Sequence, residues 1–254
     1  MVHFVGAGPG AKDLITVRGK ELLEQADVII YAGSLVNPQL LEYAKPECEI
    51  YNSAYMTLEE VIAVMVRAQK EDKMTVRLHT GDPAIFGAIK EQMDELEKYQ
   101  IPYAVCPGVS ALFGAAASLK AEYTLPEVSQ TVIITRMAGR TPVPERESIR
   151  NLAAHGATMV VFLSTGLLQE LSKQLMDGGY PGDCPAAIVY KASWPDQKVC
   201  RCTVDTLEQT ANAEQITKTA LIVVGRFLGD DYALSKLYDA GFETEFRKGI
   251  QHRK

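Results

Sequence analysis

Tryptophan and histidine are scarce in this chain: one and four, respectively, in 254 residues. The histidines, His3, His79, His155 and His252, lie far apart and give no metal-ligand spacing. Five cysteines (48, 106, 184, 200 and 202) form an odd, scattered set without a Cys-x-x-Cys. Cys200-Thr-Cys202 alternates as neighbours on a strand do, which fits packing better than a disulfide or a zinc site. A protein metal centre is therefore not expected. No uninterrupted apolar run is long enough to span a bilayer, and the first residues enter a strand pattern without a basic, signal-like leader. We expect no membrane partner and a cytoplasmic location. Basic character is missing too: the net charge is −6, with no basic stripe, so no nucleic-acid partner is expected. An acidic ligand would have to be met by local cations, because the overall field repels it. Internal repeats and low-complexity segments are absent.

What is present is a 47% hydrophobic composition, that of a chain with a full core, arranged as alternating strand and helix patterns. The stretch Thr75–Gly87 is the sharpest. A β-rich run stops at Gly81-Asp82-Pro83, and a helical pattern (Ile85, Ile89, Met93, Leu96) is expected to begin almost at once. Gly81 allows close backbone approach, and Pro83 suits a first helical turn. Asp82 has two readings, a ligand contact or a cap on the following helix. A second such unit opens the chain. Strand Val2–Val5 runs into Gly6-Ala-Gly-Pro-Gly-Ala11, and Gly6, Gly8 and Ala11 satisfy the dinucleotide fingerprint. That fingerprint needs an acid at the carboxyl end of the second strand; here Asp27 precedes the strand Val28–Tyr31 and lies at its opposite end. The helix also begins only after Lys12-Asp13, so its amino end is not on the glycines. A nicotinamide- or flavin-binding reading is disfavoured.

Further strand ends lead into Tyr31-Ala-Gly-Ser-Leu-Val-Asn-Pro38 and, after Tyr103–Cys106, into Pro107-Gly-Val-Ser-Ala111. Thr57-Leu-Glu-Glu60 is a capping box for a helix over 58–70. The pattern breaks at 120–130, and the reading divides the chain into domains 1–121 and 122–254. The second contains strands near 131–135, 159–163, 186–190, 199–203 and 220–225. No nucleophile–histidine pair announces a catalytic residue, and none is assigned.

Together these features resemble the tetrapyrrole (corrin/porphyrin) methylase superfamily, whose members use S-adenosylmethionine. The residues that carry the resemblance are Val5–Gly10 with Leu14-Ile15-Thr16, Gly81-Asp82-Pro83 with Phe86-Gly87, and Pro107–Ala111. Leu163–Gly166 and Thr219–Gly225 match more loosely. Tyr31–Pro38 and Met137–Pro142 are similar to the precorrin-4 C-11 methyltransferases of cobalamin synthesis, with the cobalt-carrying substrate preferred over the metal-free one. The resemblance implies two α/β domains with a cofactor and substrate cleft between them, a homodimer, and a tetrapyrrole substrate. It implies cofactor contacts at Pro9, Thr80, Gly81, Asp82, Ile85, Ser110 and Ala111 in the first domain. On the adenosine side, in the second domain, it implies Leu163, Ala192, Thr219 and Ala220. Gly8 and Gly10 would face the tetrapyrrole trough, and Arg18 and Arg136 are candidates for its carboxylates, with Arg140 and Lys12 also beside these loops. The other readings are methylation of a different corrinoid or porphyrinoid position, an NAD-type oxidoreductase, and a non-catalytic tetrapyrrole carrier.

Overall fold

The computed structural model describes residues 1–250. The chain forms two compact units, Met1–Ser118 with Tyr190–Lys198, and Leu119–Val189 with Val199–Lys254. The sequence reading divided the chain once, at 121/122; the first unit also takes in the later segment 190–198.

The first unit contains β1 (Val2–Gly6), α1 (Val17–Gln25), β2 (Val28–Tyr31), β3 (Glu49–Asn52), α2 (Leu58–Lys70), β4 (Thr75–His79), α3 (Ile89–Lys98), β5 (Tyr103–Cys106) and all but the last residue of α4 (Ala111–Leu119). Its five strands are ordered β3-β2-β4-β1-β5, and the pairings of β3 with β2, β2 with β4, β4 with β1 and β1 with β5 are all parallel. Alternation along each strand feeds two cores. Val5, Ile29, Val76 and Leu78 join Leu23 and Leu40 on one face. Val2, Phe4, Val28 and Ile30 join Val61, Ile62, Met65 and Leu96 of α2 and α3 on the other. Both faces are thus covered, as a parallel sheet requires. Thr57 and Glu60 make the expected reciprocal capping box at the start of α2.

Helix α3 starts at Ile89, not near Ile85. Phe86 and Ala88 both have positive φ (54° and 48°), a conformation that cannot continue a right-handed helix. Residues 83–86 instead form a tight turn.

The second unit holds β6 (Val132–Arg136), α5 (Ile149–Ala153), β7 (Thr158–Phe162), α6 (Leu168–Asp177), most of β8 (Pro185–Tyr190) and β9 (Lys198–Thr203), α7 (Leu207–Ala213) and β10 (Ala220–Val224). Its sheet is ordered β6-β7-β10-β8-β9 and is mixed: β6 and β7 run parallel, β7 and β10 antiparallel. Met159, Val160, Val161, Ile188, Ile222 and Val223 are fully buried and form its central layer.

Candidate functional site

The sheet order explains the site. Strands β4, β1 and β5 are neighbours, so the loops leaving their carboxyl ends must meet: Thr80–Pro83, Ala7–Ala11 and Pro107–Ser110. They meet backbone to backbone. Gly8 and Gly81 exchange both main-chain hydrogen bonds, at 2.9 and 3.2 Å, as an isolated antiparallel bridge beyond the ends of the parallel strands. A Cβ on Gly6 would lie 2.5 Å from Gly108 Cα and 2.6 Å from the Gly81 carbonyl oxygen. One on Gly108 would strike that same carbonyl and come within 2.7 Å of Gly6 Cα. Gly8 and Gly81 also need positive φ, 79° and 60°. These glycines are therefore required by contact between loops, quite apart from any ligand.

Asp82 joins two of the loops. Its Oδ1 accepts from the N–H of Ala84 and its Oδ2 from the N–H of Gly108, each at 2.8 Å. It caps a turn rather than helix α3, whose first turn has no side-chain cap. Each carboxylate oxygen takes one N–H from the protein, which leaves lone pairs for further donors. Thr80 beside it is exposed, Ile85 is half-buried, Ser110 is buried and Ala111 opens α4.

The first loop is held from two sides. Asn37 Nδ2 donates to the Gly10 carbonyl at 2.8 Å, and Trp194 Nε1 donates to the Pro9 carbonyl at 3.2 Å. A Cβ on Gly10 would fall directly on the indole and 2.9 Å from the Ala192 carbonyl oxygen. Ser193 Oγ accepts from the N–H of Ala11 at 2.9 Å. Ala192 was expected among adenosine-side residues of the second domain; it packs in the first unit, beside Gly114 and this loop. The reason is that the segment between β8 and β9 folds onto Pro9–Ala11.

Beneath the Gly81 loop, β4 turns polar residues into the core. Arg77 donates through Nε to Gln92 Oε1 at 3.0 Å and through a terminal nitrogen to the Ile30 carbonyl at 3.1 Å. Gln92 in turn donates to the Ala88 carbonyl at 3.0 Å, pinning the left-handed residue before α3. Burial lowers the Arg77 guanidinium to about 10. Burial, then the nearby Arg77 charge, pushes the His79 imidazole down to about 3, and its Nε2 has no hydrogen-bond partner among the described residues.

In the second unit, Leu163 follows β7 and Ala220 begins the antiparallel β10, so Leu163, Thr219 and Ala220 are brought to one end of the sheet. Thr165 Oγ1 donates to the Ala220 carbonyl at 3.2 Å. Leu163 and Thr219 both have positive φ (52° and 59°), and Leu163 is 66% exposed although apolar. Ser164, fully buried, accepts from the N–H of Met137 and donates to the Phe162 carbonyl, tying the loop after β6 to the one after β7.

A sequence model of the Tetrapyrrole (Corrin/Porphyrin) Methylases matches residues 1–208. The chain belongs to this family. It is 58% identical to the cobalt-precorrin-4 C(11)-methyltransferase of Methanocaldococcus jannaschii, over all of this chain and 97% of that one. Its fold is similar to the X-ray structure of a cobalamin biosynthetic enzyme, cobalt precorrin-4 methyltransferase. The TM-score is 0.88 at 46% identity, covering 90% of this chain and 96% of the other. A Thermus thermophilus uroporphyrin-III C-methyltransferase complexed with S-adenosylhomocysteine is also similar (TM-score 0.72, 25% identity, 89% and 92% covered).

In this methylase the two candidate substrate arginines differ. Arg18 is exposed on the first turn of α1. The Arg136 guanidinium is committed to its own loop, donating to the carbonyls of Met137, Thr141 and Pro142. Arg140 is exposed. Among the described residues no three His, Cys, Asp or Glu side chains gather as a metal-binding set, and no helix is long and apolar enough to cross a membrane. Sequence reasoning missed Asn37 and Trp194. The signal for the latter was available: a lone tryptophan in an otherwise polar loop, Lys191–Asp196, has to be held by something.

Proposed function

We propose that this methylase transfers a methyl group from S-adenosylmethionine to C-11 of cobalt-precorrin-4 in corrin synthesis. The observation that carries the substrate and position is the likeness, end to end and at 58% identity, to a protein of that name. Three features of the geometry support a cofactor site at these loops. Thr80 is exposed, Ser110 and Ala111 lie across from Gly81, and Asp82 keeps lone pairs beyond its two internal bonds. A carboxylate with spare acceptors, in a chain of net charge −6, suits a cationic donor bearing ammonium and hydroxyl groups. On this reading Pro9, Thr80, Gly81, Asp82, Ile85, Ser110 and Ala111 take the methionine part. Leu163, Thr219 and Ala220 take the adenosine part, the exposed Leu163 offering apolar surface.

When bound, the sulfonium supplies an already activated methyl group. The protein's work is then alignment and exclusion of water. A platform of interlocked glycine loops suits that task because it has little freedom to shift. Gly8 and Gly10 of the first loop and the exposed Arg18 are the residues we assign to the tetrapyrrole. Arg136 supports its loop and acts on substrate only through that loop's shape. We further propose a homodimer in the cytoplasm, for which the oligomeric state is read by light scattering.

The NAD-type alternative meets a specific obstacle. Asp27 is bound by Lys45 Nζ at 2.5 Å and by the N–H of Met74 at 2.7 Å, at the amino end of β2. It is engaged at the wrong end of the strand for a ribose.

The test is calorimetric titration with S-adenosylhomocysteine, with NADH as control, followed by incubation with cobalt-precorrin-4 and mass spectrometry of the corrinoid. Binding of S-adenosylhomocysteine alone, with gain of one methyl group on substrate, is expected. Binding of NADH instead would sink the reading. S-adenosylhomocysteine binding with methylation elsewhere on the ring would keep the chemistry and correct the position; binding of macrocycle without cofactor would favour the carrier.

A further inference from the structure

A cavity of about 350 Å³ lies in the first unit at the carboxyl ends of β2 and β3, and no assignment so far uses it. Tyr31, Gly33, Asn52, Ala54, Tyr55 and Trp194 line it. Its walls are pinned. Gly33 has φ +62°, Asn52 Oδ1 accepts from the N–H of Ala54, and Ser53 Oγ donates to the Tyr31 carbonyl. A Cβ on Gly33 would press on Ala54 Cβ at 2.8 Å, so the two loops are in close register. Trp194 links the cavity to the first glycine loop, since the same indole donates to Pro9 and packs over Gly10. Tyr55 is 87% exposed, a large aromatic side chain standing in solvent.

We propose that this cavity holds one pyrrole ring of the tetrapyrrole, with Tyr55 and Trp194 as specificity-determining residues that fix the rotational register of the macrocycle. The proposal rests on the tetrapyrrole substrate argued above. The chemistry matches in three respects. Aromatic faces suit a conjugated, flat ring. The volume accommodates a single pyrrole with its acid side chains, not a whole macrocycle. The Asn52 amide nitrogen, which makes no hydrogen bond among the described residues, offers a donor to a carboxylate at the cavity wall. A tetrapyrrole has four rings of similar shape, so a protein that methylates one carbon must stop the macrocycle from rotating. A walled pocket for one ring, beside the loop assigned to the macrocycle, does that.

The experiment is calorimetry with uroporphyrin III, a stable octacarboxylate tetrapyrrole, and separately with S-adenosylhomocysteine, on wild type, Tyr55→Ala and Ala54→Trp. Tyr55 is exposed, so Tyr55→Ala is expected to fold with an unchanged unfolding midpoint, and the midpoint of Ala54→Trp, whose side chain faces Gly33, is measured beside it. Uroporphyrin affinity should fall about tenfold in Tyr55→Ala, the scale of one aromatic contact, and further in Ala54→Trp, which fills the cavity. S-adenosylhomocysteine affinity should stay within about twofold. With cobalt-precorrin-4, Tyr55→Ala should yield methylation at more than one ring position. Porphyrin affinity unchanged in both variants overturns the pocket, as does a parallel loss of S-adenosylhomocysteine affinity. A wild type that binds S-adenosylhomocysteine but not uroporphyrin also overturns it. Failure of wild type to bind S-adenosylhomocysteine overturns the methyltransferase reading itself.

Discussion

The backbone N–H of Gly8 donates to the carbonyl of Gly81, and the N–H of Gly81 donates back to the carbonyl of Gly8. This pair locks together two loops that lie some seventy residues apart in sequence, and Gly6 and Gly108 pack against the same carbonyl at Gly81. Four glycines thus serve one another before they serve a ligand.

Gly108→Ala should therefore be costly. Its methyl group would collide with backbone on both sides, with no flexible side chain to yield. We expect a loss of about 1–3 kcal/mol or more in urea denaturation, with S-adenosylhomocysteine binding impaired in parallel. Gly166→Ala, where a Cβ meets nothing within 4 Å, is the control and should stay within about 0.5 kcal/mol of wild type.

Asp82→Ala removes acceptors from the N–H groups of Ala84 and Gly108 together. A stability loss of about 1–3 kcal/mol is expected, with weakened S-adenosylhomocysteine binding. Asp82→Asn should not rescue it fully, because one amide nitrogen would face an N–H donor. Full stability in Asp82→Ala, measured by thermal and urea unfolding, would mean that water replaces the carboxylate at both sites.

Acid stability should be governed in part by His79. Its pKa is lowered to about 3, chiefly by burial, against an ordinary value of 6.5. Between these values the unfolded chain binds a proton that the folded chain refuses, so stability falls as pH drops below about 6.5. The slope approaches about 1.4 kcal/mol per pH unit, or about 2 kcal/mol between pH 7.5 and 5. Glu49, held near 2 by Lys73, Tyr51 and Arg67, acts only below the usual carboxylate range and leaves this window unaffected. Urea midpoints across pH 5–7.5 should show a flatter profile for His79→Phe than for wild type. Equal slopes would mean that the imidazole protonates inside the fold.

Gly10→Ala should report through the only tryptophan of the chain. The added methyl group displaces the indole from the first loop and breaks its bond to Pro9. A red-shifted emission and stronger acrylamide quenching are expected. An unchanged spectrum would show that the loop, rather than the indole, gives way.

Much of this was legible in the residues. The capping box Thr57–Glu60, the opposite-end placement of Asp27 and the strand Tyr103–Cys106 follow from local chemistry, and the structure has them. The three glycine motifs were visible, but the purpose of their glycines was not. That depends on β4, β1 and β5 being neighbours, a non-local fact that no short window contains. The late start of α3 was hidden because Phe86 and Ala88 adopt left-handed conformations without being glycine or asparagine. The placement of Ala192 was missed because a loop between two strands of one sheet was assumed to stay with that sheet. Arg136 has the composition of a ligand-binding residue and the hydrogen bonds of a loop brace.

The first unit is not a continuous piece of chain, and this sets the order of events during synthesis. The indole that rests on Gly10 and the serine that receives the Ala11 N–H belong to the segment Tyr190–Lys198. Domains generally fold as units while the chain emerges from the ribosome. Here the amino-terminal sheet can assemble early, but its glycine platform remains unsealed until the second unit's strands up to β8 have been made. A fragment ending at Ser118 would carry every residue of the Gly81 motif and still lack the lid on the first loop. The glycine platform is thus completed late in translation, after most of both units exists.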